Sequence, residues 1–181
     1  MVDGGGGSDE ITGGLGGDWL GGGVGPDEIG GGPGTTDGMP RFTVRCFMSD
    51  ESGNVVIFQG NQNLFGADGN DDLDGGRDND LLQGDNGRNV LSGNGGGDCL
   101  VLEGDENERV SGGDGDDGVF TIDGNGDDVF CGAGNDMVRA DAEDRVAADC
   151  EVVIRPFAIQ APGATPEAEV TIITAPEEFG S

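Results

Sequence analysis

Leucine returns every ninth residue through the middle of the chain, at Leu73, Leu82, Leu91 and Leu100, each time in a run of Gly, Asp and Asn. The units that carry these leucines, 66–74, 75–83, 84–92 and 93–101, follow one another without a gap. In each, position one is Gly, position six is Asp or Asn, and position eight is Leu. Positions seven to nine mostly alternate polar, apolar, polar, the period of a half-buried strand. Glycines at positions one, two and four allow the positive backbone dihedrals of a tight turn. One unit therefore predicts a loop followed by a short strand that reverses the chain, and the next unit brings it back. About two units complete a circuit of a stacked solenoid, with circuits roughly 4.8 Å apart. The predicted fold is all-β, a parallel β-roll or β-helix with a thin apolar core of position-eight side chains.

The same phase organises most of the remaining chain. Three units fill 4–30, with Ile11, Leu20 and Ile29 at position eight. A fourth, starting at Gly31, fails because Thr36 and Gly38 stand at positions six and eight. After Val101 the phase slips by one at Leu102, and 103–111 is a weak copy with Val110 in the core position. The unit 112–120 is clean, Thr121 slips again, and 122–130 and 131–139 follow. One-residue slips at strand ends predict local bulges. Asp144-Arg145-Val146 reads as a last partial turn. Between the two blocks, Arg41 to Met48 and Asn54 to Phe58 read as strands outside the pattern. Two accounts remain open for them, worn turns of the same solenoid or an inserted hairpin carrying a binding surface. Residues 57–65, with Gly60 and Leu64 in register, already lead back into the repeat. The predicted organisation is N-terminal repeats at 4–32, worn turns or an insertion at 33–58, the main repeat block at 59–150, and a tail at 151–181. The tail is rich in Pro, Ala and Glu, with one strand-like run at 170–174.

Charge changes the picture. The 181 residues hold 37 acids against 8 bases, a net charge of −29, with 33% apolar and 5% aromatic residues and 40 glycines. Such a balance ordinarily belongs to disordered chains. It also argues against nucleic acid and anionic membrane surfaces as partners, and favours cations. There is no apolar run of transmembrane length, and no basic-then-apolar leader opens the sequence. With no His and no Tyr, the usual Ser-His and Cys-His nucleophile pairs cannot be assembled. The arginines at 77, 88, 109, 139, 145 and 155 read as solvated edge charges. No enzymatic activity is expected.

Position six carries the chemistry. It holds Asp9, Asp18, Asp27, Asp71, Asp80, Asn89, Asp98, Asp117, Asp127 and Asp136, which stacking would line up along the edges of the solenoid. Carboxylates one strand spacing apart repel, and ordering glycine loops costs much conformational entropy. A divalent cation between adjacent loops offsets both. Calcium suits best, because it takes six to eight oxygens in flexible geometry, whereas magnesium demands a tight octahedron. Zinc would want His or clustered Cys. The ten position-six residues are therefore the candidate metal ligands, with several Ca²⁺ ions as the expected cofactor.

The pattern Gly-Gly-x-Gly-x-Asp-x-Leu/Ile-x resembles the RTX, or hemolysin-type, calcium-binding repeats. The resemblance covers ten units of the chain, and 128–151 is similar to the closing repeats of secreted actinobacterial members. It implies that the position-six side chains and loop carbonyls hold calcium between neighbouring turns, and that the folded protein works outside the cell. Export in the family often uses a C-terminal signal, whereas disulfides would favour a removed N-terminal one, and both routes remain open. Extracellular calcium modules bind at about 10⁻⁴ to 10⁻³ M, and an even number of cysteines fits that compartment. Cys131 and Cys150 lie about one circuit apart, which predicts adjacent turns and a disulfide. Cys46 and Cys99 would form the other pair, although Cys99 stands at the outward position seven. Trp19 also stands at position seven and is expected outside. Calcium is the expected partner. Self-association end to end is a further expectation, since a solenoid normally needs polar caps. A third role is the export or folding module of a larger secreted enzyme, toxin or adhesin.

Overall fold

The computed structural model describes residues 1–15, 18–32 and 62–155, together with the backbone of 44–49 and 55–60. Within them the chain forms strands and no helix, and alternates between two parallel sheets. The first sheet stacks β1 (Val2–Gly6), β3 (Trp19–Val24), β7 (Gln62–Asp68), β9 (Asp80–Gln83), β11 (Cys99–Val101), β13 (Gly118–Thr121), β15 (Met137–Ala140) and β17 (Val152–Ile154). The second stacks β2 (Glu10–Thr12), β4 (Glu28–Gly30), β8 (Asp72–Gly76), β10 (Val90–Gly95), β12 (Arg109–Asp114), β14 (Asp128–Ala133) and β16 (Arg145–Val146) in the same direction. The molecule is the β-solenoid that the nine-residue period predicts, with two units to each circuit.

Register follows the position-eight side chains. In the second sheet Ile11, Ile29, Leu73, Leu91, Val110, Val129 and Val146 pair in succession. In the first, Leu20, Leu64, Leu82, Leu100, Val119, Val138 and Val153 do the same. The columns meet in one core, where Leu20, Ile29, Leu64, Leu73, Leu82 and Leu100 are wholly buried. Each such side chain contributes roughly 1.5–3 kcal/mol on leaving water, so the narrow core is held by repetition rather than by thickness. Leu102, the residue that breaks the phase, is not expelled. It is buried in this same core, and from there the circuit lengthens, with Leu91 facing Val110 and Val110 facing Val129.

The two strands described between the repeat blocks are not members of the stacked sheets. β3 pairs directly with β7 and β4 with β8, so the solenoid closes across the gap. β5 (Val44–Ser49) and β6 (Val55–Gly60) pair antiparallel as a sheet of their own, the geometry of a hairpin and not of a parallel turn. β6 lies alongside β9 and β11. This bears on Cys99, which was expected to face outward and is instead buried with Leu81, Val101, Phe120 and Met137. The correction has a physical cause. On the first sheet, positions seven and nine include the apolar Leu81, Val101, Phe120 and Met137, and β6 comes alongside β9 and β11. Trp19 is half-buried at the same face, its ring stacked on Phe65 with centroids 5.4 Å apart.

Close stacking of the loops explains the glycines at position four. Gly87 has φ +110°, and a Cβ placed there would overlap the carbonyl oxygen of Gly69 one circuit earlier. Gly115 stands in the same relation to Gly96. The strand-like run at 170–174 and the rest of the tail beyond Arg155 lie outside the described residues.

Candidate metal centre

Each strand is entered from a position-six residue, and position six lies two residues before the core side chain. A residue there has its backbone at the corner between loop and strand, with its side chain turned back into the stack. Two ladders result, one along each edge. The ladder entering the second sheet runs Asp9, Asp27, Asp71, Asn89, Glu108, Asp127 and Asp144. From Asp27 onward each side chain accepts the backbone N–H of the residue one circuit before it. Asp9 N–H bonds Asp27 Oδ1 at 2.8 Å, Asp27 bonds Asp71 at 2.8 Å, and Asp71 bonds Asn89 at 2.9 Å. Asn89 bonds Glu108 Oε1 at 3.2 Å, Glu108 bonds Asp127 at 2.8 Å, and Asp127 bonds Asp144 at 2.9 Å.

The ladder entering the first sheet holds Asp18 and then Gln62, Asp80, Asp98, Asp117, Asp136 and Glu151. Gln62 N–H bonds Asp80 Oδ1 at 3.1 Å, Asp80 bonds Asp98 at 2.7 Å, and Asp98 bonds Asp117 at 2.8 Å. Asp117 bonds Asp136 at 2.9 Å, and Asp136 bonds Glu151 Oε2 at 2.9 Å. From Asp27 on one ladder and Asp80 on the other, one oxygen of each carboxylate therefore satisfies a loop N–H.

The other oxygen does not. The Oδ2 atoms of Asp9, Asp18, Asp27, Asp71, Asp80, Asp98, Asp117, Asp127 and Asp136, and Oε2 of Glu108, are buried without a hydrogen-bond partner. Those of Asp9, Asp18, Asp27, Asp71, Asp80, Asp98 and Asp117 face the position-one glycine of their own unit and that of Glu108 faces Gly104, whereas Ile122 and Cys131 stand at position one before Asp127 and Asp136. A Cβ on Gly4 would lie 2.7 Å from Asp9 Oδ2 and 2.6 Å from the Gly22 carbonyl oxygen. At Gly13 the same place is flanked by Asp18 Oδ2 and the Gly31 carbonyl, both at 2.7 Å, and at Gly66 by Asp71 Oδ2 at 2.5 Å and the Gly84 carbonyl at 2.6 Å. Two acceptors thus converge where no side chain can enter. Leaving a buried carboxylate oxygen unsatisfied costs about 1–3 kcal/mol or more. An oxygen-seeking cation is what this donor set fits.

Burial sets the electrostatics. Asp80 is pushed up to about 9, first by loss of solvent and then by the charge of Asp98. Asp98 rises to about 8 by burial and by Asp117. Glu108 rises to about 8 and Asp117 to about 7, with burial again the leading cause. Asp71 and Asp127 rise to about 6 for the same reason.

Of the ten expected ligands, five fall on each ladder. Asn89 differs from the others. Its amide donates to Glu108 Oε1 at 2.7 Å and to the Asp85 carbonyl at 3.3 Å, and its Oδ1 accepts from Asp71, so its polar groups are already engaged. The repeat pattern did not single out Gln62, Glu108, Asp144 and Glu151, which hold the same places. The signal was present, since each stands two residues before a member of the position-eight columns, Leu64, Val110, Val146 and Val153. Asp123 had no such signal. It comes from position two, yet its carboxylate joins Glu108 and Asp127 with ligand oxygens all within 4.8 Å of one another.

Near the end of the ladders Cys131 and Cys150 form a disulfide, with Cα atoms 5.1 Å apart. Cys99 is disulfide-bonded as well, and the pairing expected with Cys46 falls outside the described residues. Comparison with family models, with curated proteins and with solved structures finds no match.

Proposed function

We propose that the chain is an extracellular calcium-binding repeat protein of the RTX kind, structural and not catalytic, whose β-roll becomes rigid when calcium enters the two ladders. The observation that carries this reading is the row of buried carboxylate oxygens without partners, seven of which, on Asp9, Asp18, Asp71, Asp80, Asp98, Glu108 and Asp117, face a carbonyl across a place reserved by glycine. The position-six carboxylates and the neighbouring loop carbonyls are the residues that would hold the ions. Calcium there would supply positive charge, stabilising a polyanion of net charge −29 and replacing lost hydration with fixed oxygens. The Cys131–Cys150 disulfide supports an oxidising compartment, where calcium is abundant enough for sites of modest affinity.

Far-ultraviolet circular dichroism during a calcium titration from a chelated start tests the reading, with magnesium as the control. The expected result is a cooperative gain of β signal near millimolar calcium and none with magnesium. Full β signal in chelator, unchanged by calcium, would mean that the disulfides and the core suffice, and would remove the metal from the account.

A second reading, a subunit that stacks end to end in calcium, draws on the sheet edges. β1 and β2 are the outermost strands of their sheets, Val2 is 47% exposed, and an open strand edge is a template for another chain. Electron micrographs with and without calcium decide it. Rods longer than one molecule at millimolar calcium are expected, and monomers alone would end it.

A further inference from the structure

The least regular copy of the repeat contains the densest group of ligands. We infer that Glu108, Asp123 and Asp127 form the tightest calcium site of the chain, one that fills before the regular repeat sites. The inference rests on the calcium reading above, and adds to it a ligand set that the repeat pattern does not specify.

Each of the three carboxylates is anchored through one oxygen and free through the other. Glu108 Oε1 accepts from the backbone and the side-chain amide of Asn89, at 3.2 and 2.7 Å. Asp127 Oδ1 accepts the Glu108 N–H at 2.8 Å, and Asp123 Oδ1 accepts the Asn125 N–H at 2.8 Å. Glu108 Oε2, Asp123 Oδ2 and Asp127 Oδ2 are left buried without partners. Glu108 is 4% exposed and Asp127 is fully buried, so these oxygens cannot turn to bulk water. Their separation of no more than 4.8 Å is what one ion demands, because oxygens at about 2.3–2.6 Å from calcium lie at most about 5 Å from one another.

Among the described residues, three carboxylates converge in this way nowhere else. A regular position-six slot brings its own aspartate and the next one along the ladder, and backbone carbonyls supply the rest. Here Asp123 adds a third negative charge, and the longer arm of Glu108 reaches across a lengthened circuit. Asn89, on the ladder just before Glu108, is neutral and donates to it, so the excess charge is fixed in place and not spread along the stack. Ligand charge and rigidity are the two features by which calcium sites of similar architecture differ in affinity over decades. The third carboxylate and the four anchoring hydrogen bonds therefore predict at least a tenfold lower dissociation constant than at the remaining sites.

Calcium titration of the intact chain in competition with a chromophoric chelator reads this directly. Wild type is expected to show one equivalent bound at least tenfold more tightly than the rest. Asp123→Asn keeps an oxygen for the Asn125 N–H, and is expected to abolish the tight step while leaving the weaker ones. Glu108→Gln gives the same outcome by a second route. Asp71→Asn, on a regular slot, is expected to remove weak binding and retain the tight step. Circular dichroism in saturating calcium checks that each variant folds. A tight step that survives in both Asp123→Asn and Glu108→Gln overturns the assignment and leaves the general calcium reading standing. A wild-type chain that takes up no calcium at millimolar concentration overturns both.

Discussion

The Asp98 carboxylate accepts the backbone N–H of Asp80, one circuit earlier, at 2.7 Å through Oδ1, while its Oδ2 stays buried without a partner. The same side chain is therefore a loop cap through one oxygen and a candidate ligand through the other. Two substitutions separate these roles. Asp98→Ala removes the acceptor and leaves a buried N–H unsatisfied, at a cost of about 1–3 kcal/mol with or without metal. Asp98→Asn keeps the acceptor and deletes the charge. In chelator it is expected to raise the melting temperature, because a buried carboxylate held up to about 8 is relieved. In saturating calcium it is expected to lower it, because a ligand is lost. Thermal melts of both variants in the two conditions check this, and an Asn variant with the same sign in both would contradict the double role.

The raised carboxylates also give the metal-free chain a distinctive pH dependence. An unfolded Asp titrates near 3.9, whereas Asp71, Asp117, Asp98 and Asp80 titrate at about 6, 7, 8 and 9 when folded. Between those limits the folded state binds more protons than the unfolded one, so stability falls as pH rises. The contribution is complete below about pH 4 and is lost as pH climbs through 6 to 9. The chelated protein is thus expected to melt at a higher temperature at pH 4 than at pH 8. Calcium competes with protons for the same oxygens, so the calcium-loaded protein is expected to show the opposite slope. Melts across this range, with and without chelator, measure both. A metal-free stability that rises with pH would sink the argument.

The fold was legible because one side chain per unit decides it. Leu73, Leu82, Leu91 and Leu100 are spaced so that alternate leucines must stack, and glycine at fixed offsets leaves the loops little else to do. The ladder was legible where position six was Asp in a clean copy. It was hidden at Glu108 and Glu151, where the residue type and the spacing changed together. It was hidden at Gln62 because the loop before it had lost its repeat. Asp123 was not legible at all. Its part depends on two circuits lying side by side, which is long-range geometry with no local mark. The buried outer face of the first sheet, with Cys99 and Phe120, escaped for the same reason. Alternation says which way a side chain points, but not what covers it.

Glycine at position 87 is a steric requirement of stacking, and it is testable without metal chemistry. Gly87→Ala would drive a Cβ into the Gly69 carbonyl oxygen, whereas a Cβ at Gly5 meets nothing within 4 Å. Both have positive φ, +110° and +95°, so the backbone penalty of about 1–2 kcal/mol is common to them. The difference between the two variants isolates the clash. Gly5→Ala is expected to lose only that penalty in urea denaturation with calcium present. Gly87→Ala is expected to lose about 3 kcal/mol or more in addition, in the range of severe overpacking. Equal losses would mean that the loops are not packed against each other as described.

The Cys131–Cys150 disulfide joins β14 to the turn that carries Glu151, closing a sequence separation of 19. A loop of this size contributes about 3 kcal/mol in the chain-entropy account. Its location matters more than its size. Cys131 is buried in the core and Cys150 packs against it, while Glu151 caps the Asp136 N–H at 2.9 Å. Beyond this point the ladder depends on the short strands β16 and β17, whose Val152 and Val153 are 39% and 40% exposed. Reduction is therefore expected to fray the last circuit before the rest unfolds. Amide hydrogen exchange reads this as lost protection at Val146 and Val152 to Ile154, with Leu82 and Leu100 still protected. The Cys131→Ser, Cys150→Ser double variant should reproduce the pattern without reductant. Loss of protection throughout the chain at once would show instead that the bridge holds the whole solenoid, and that the stack behaves as a single cooperative unit.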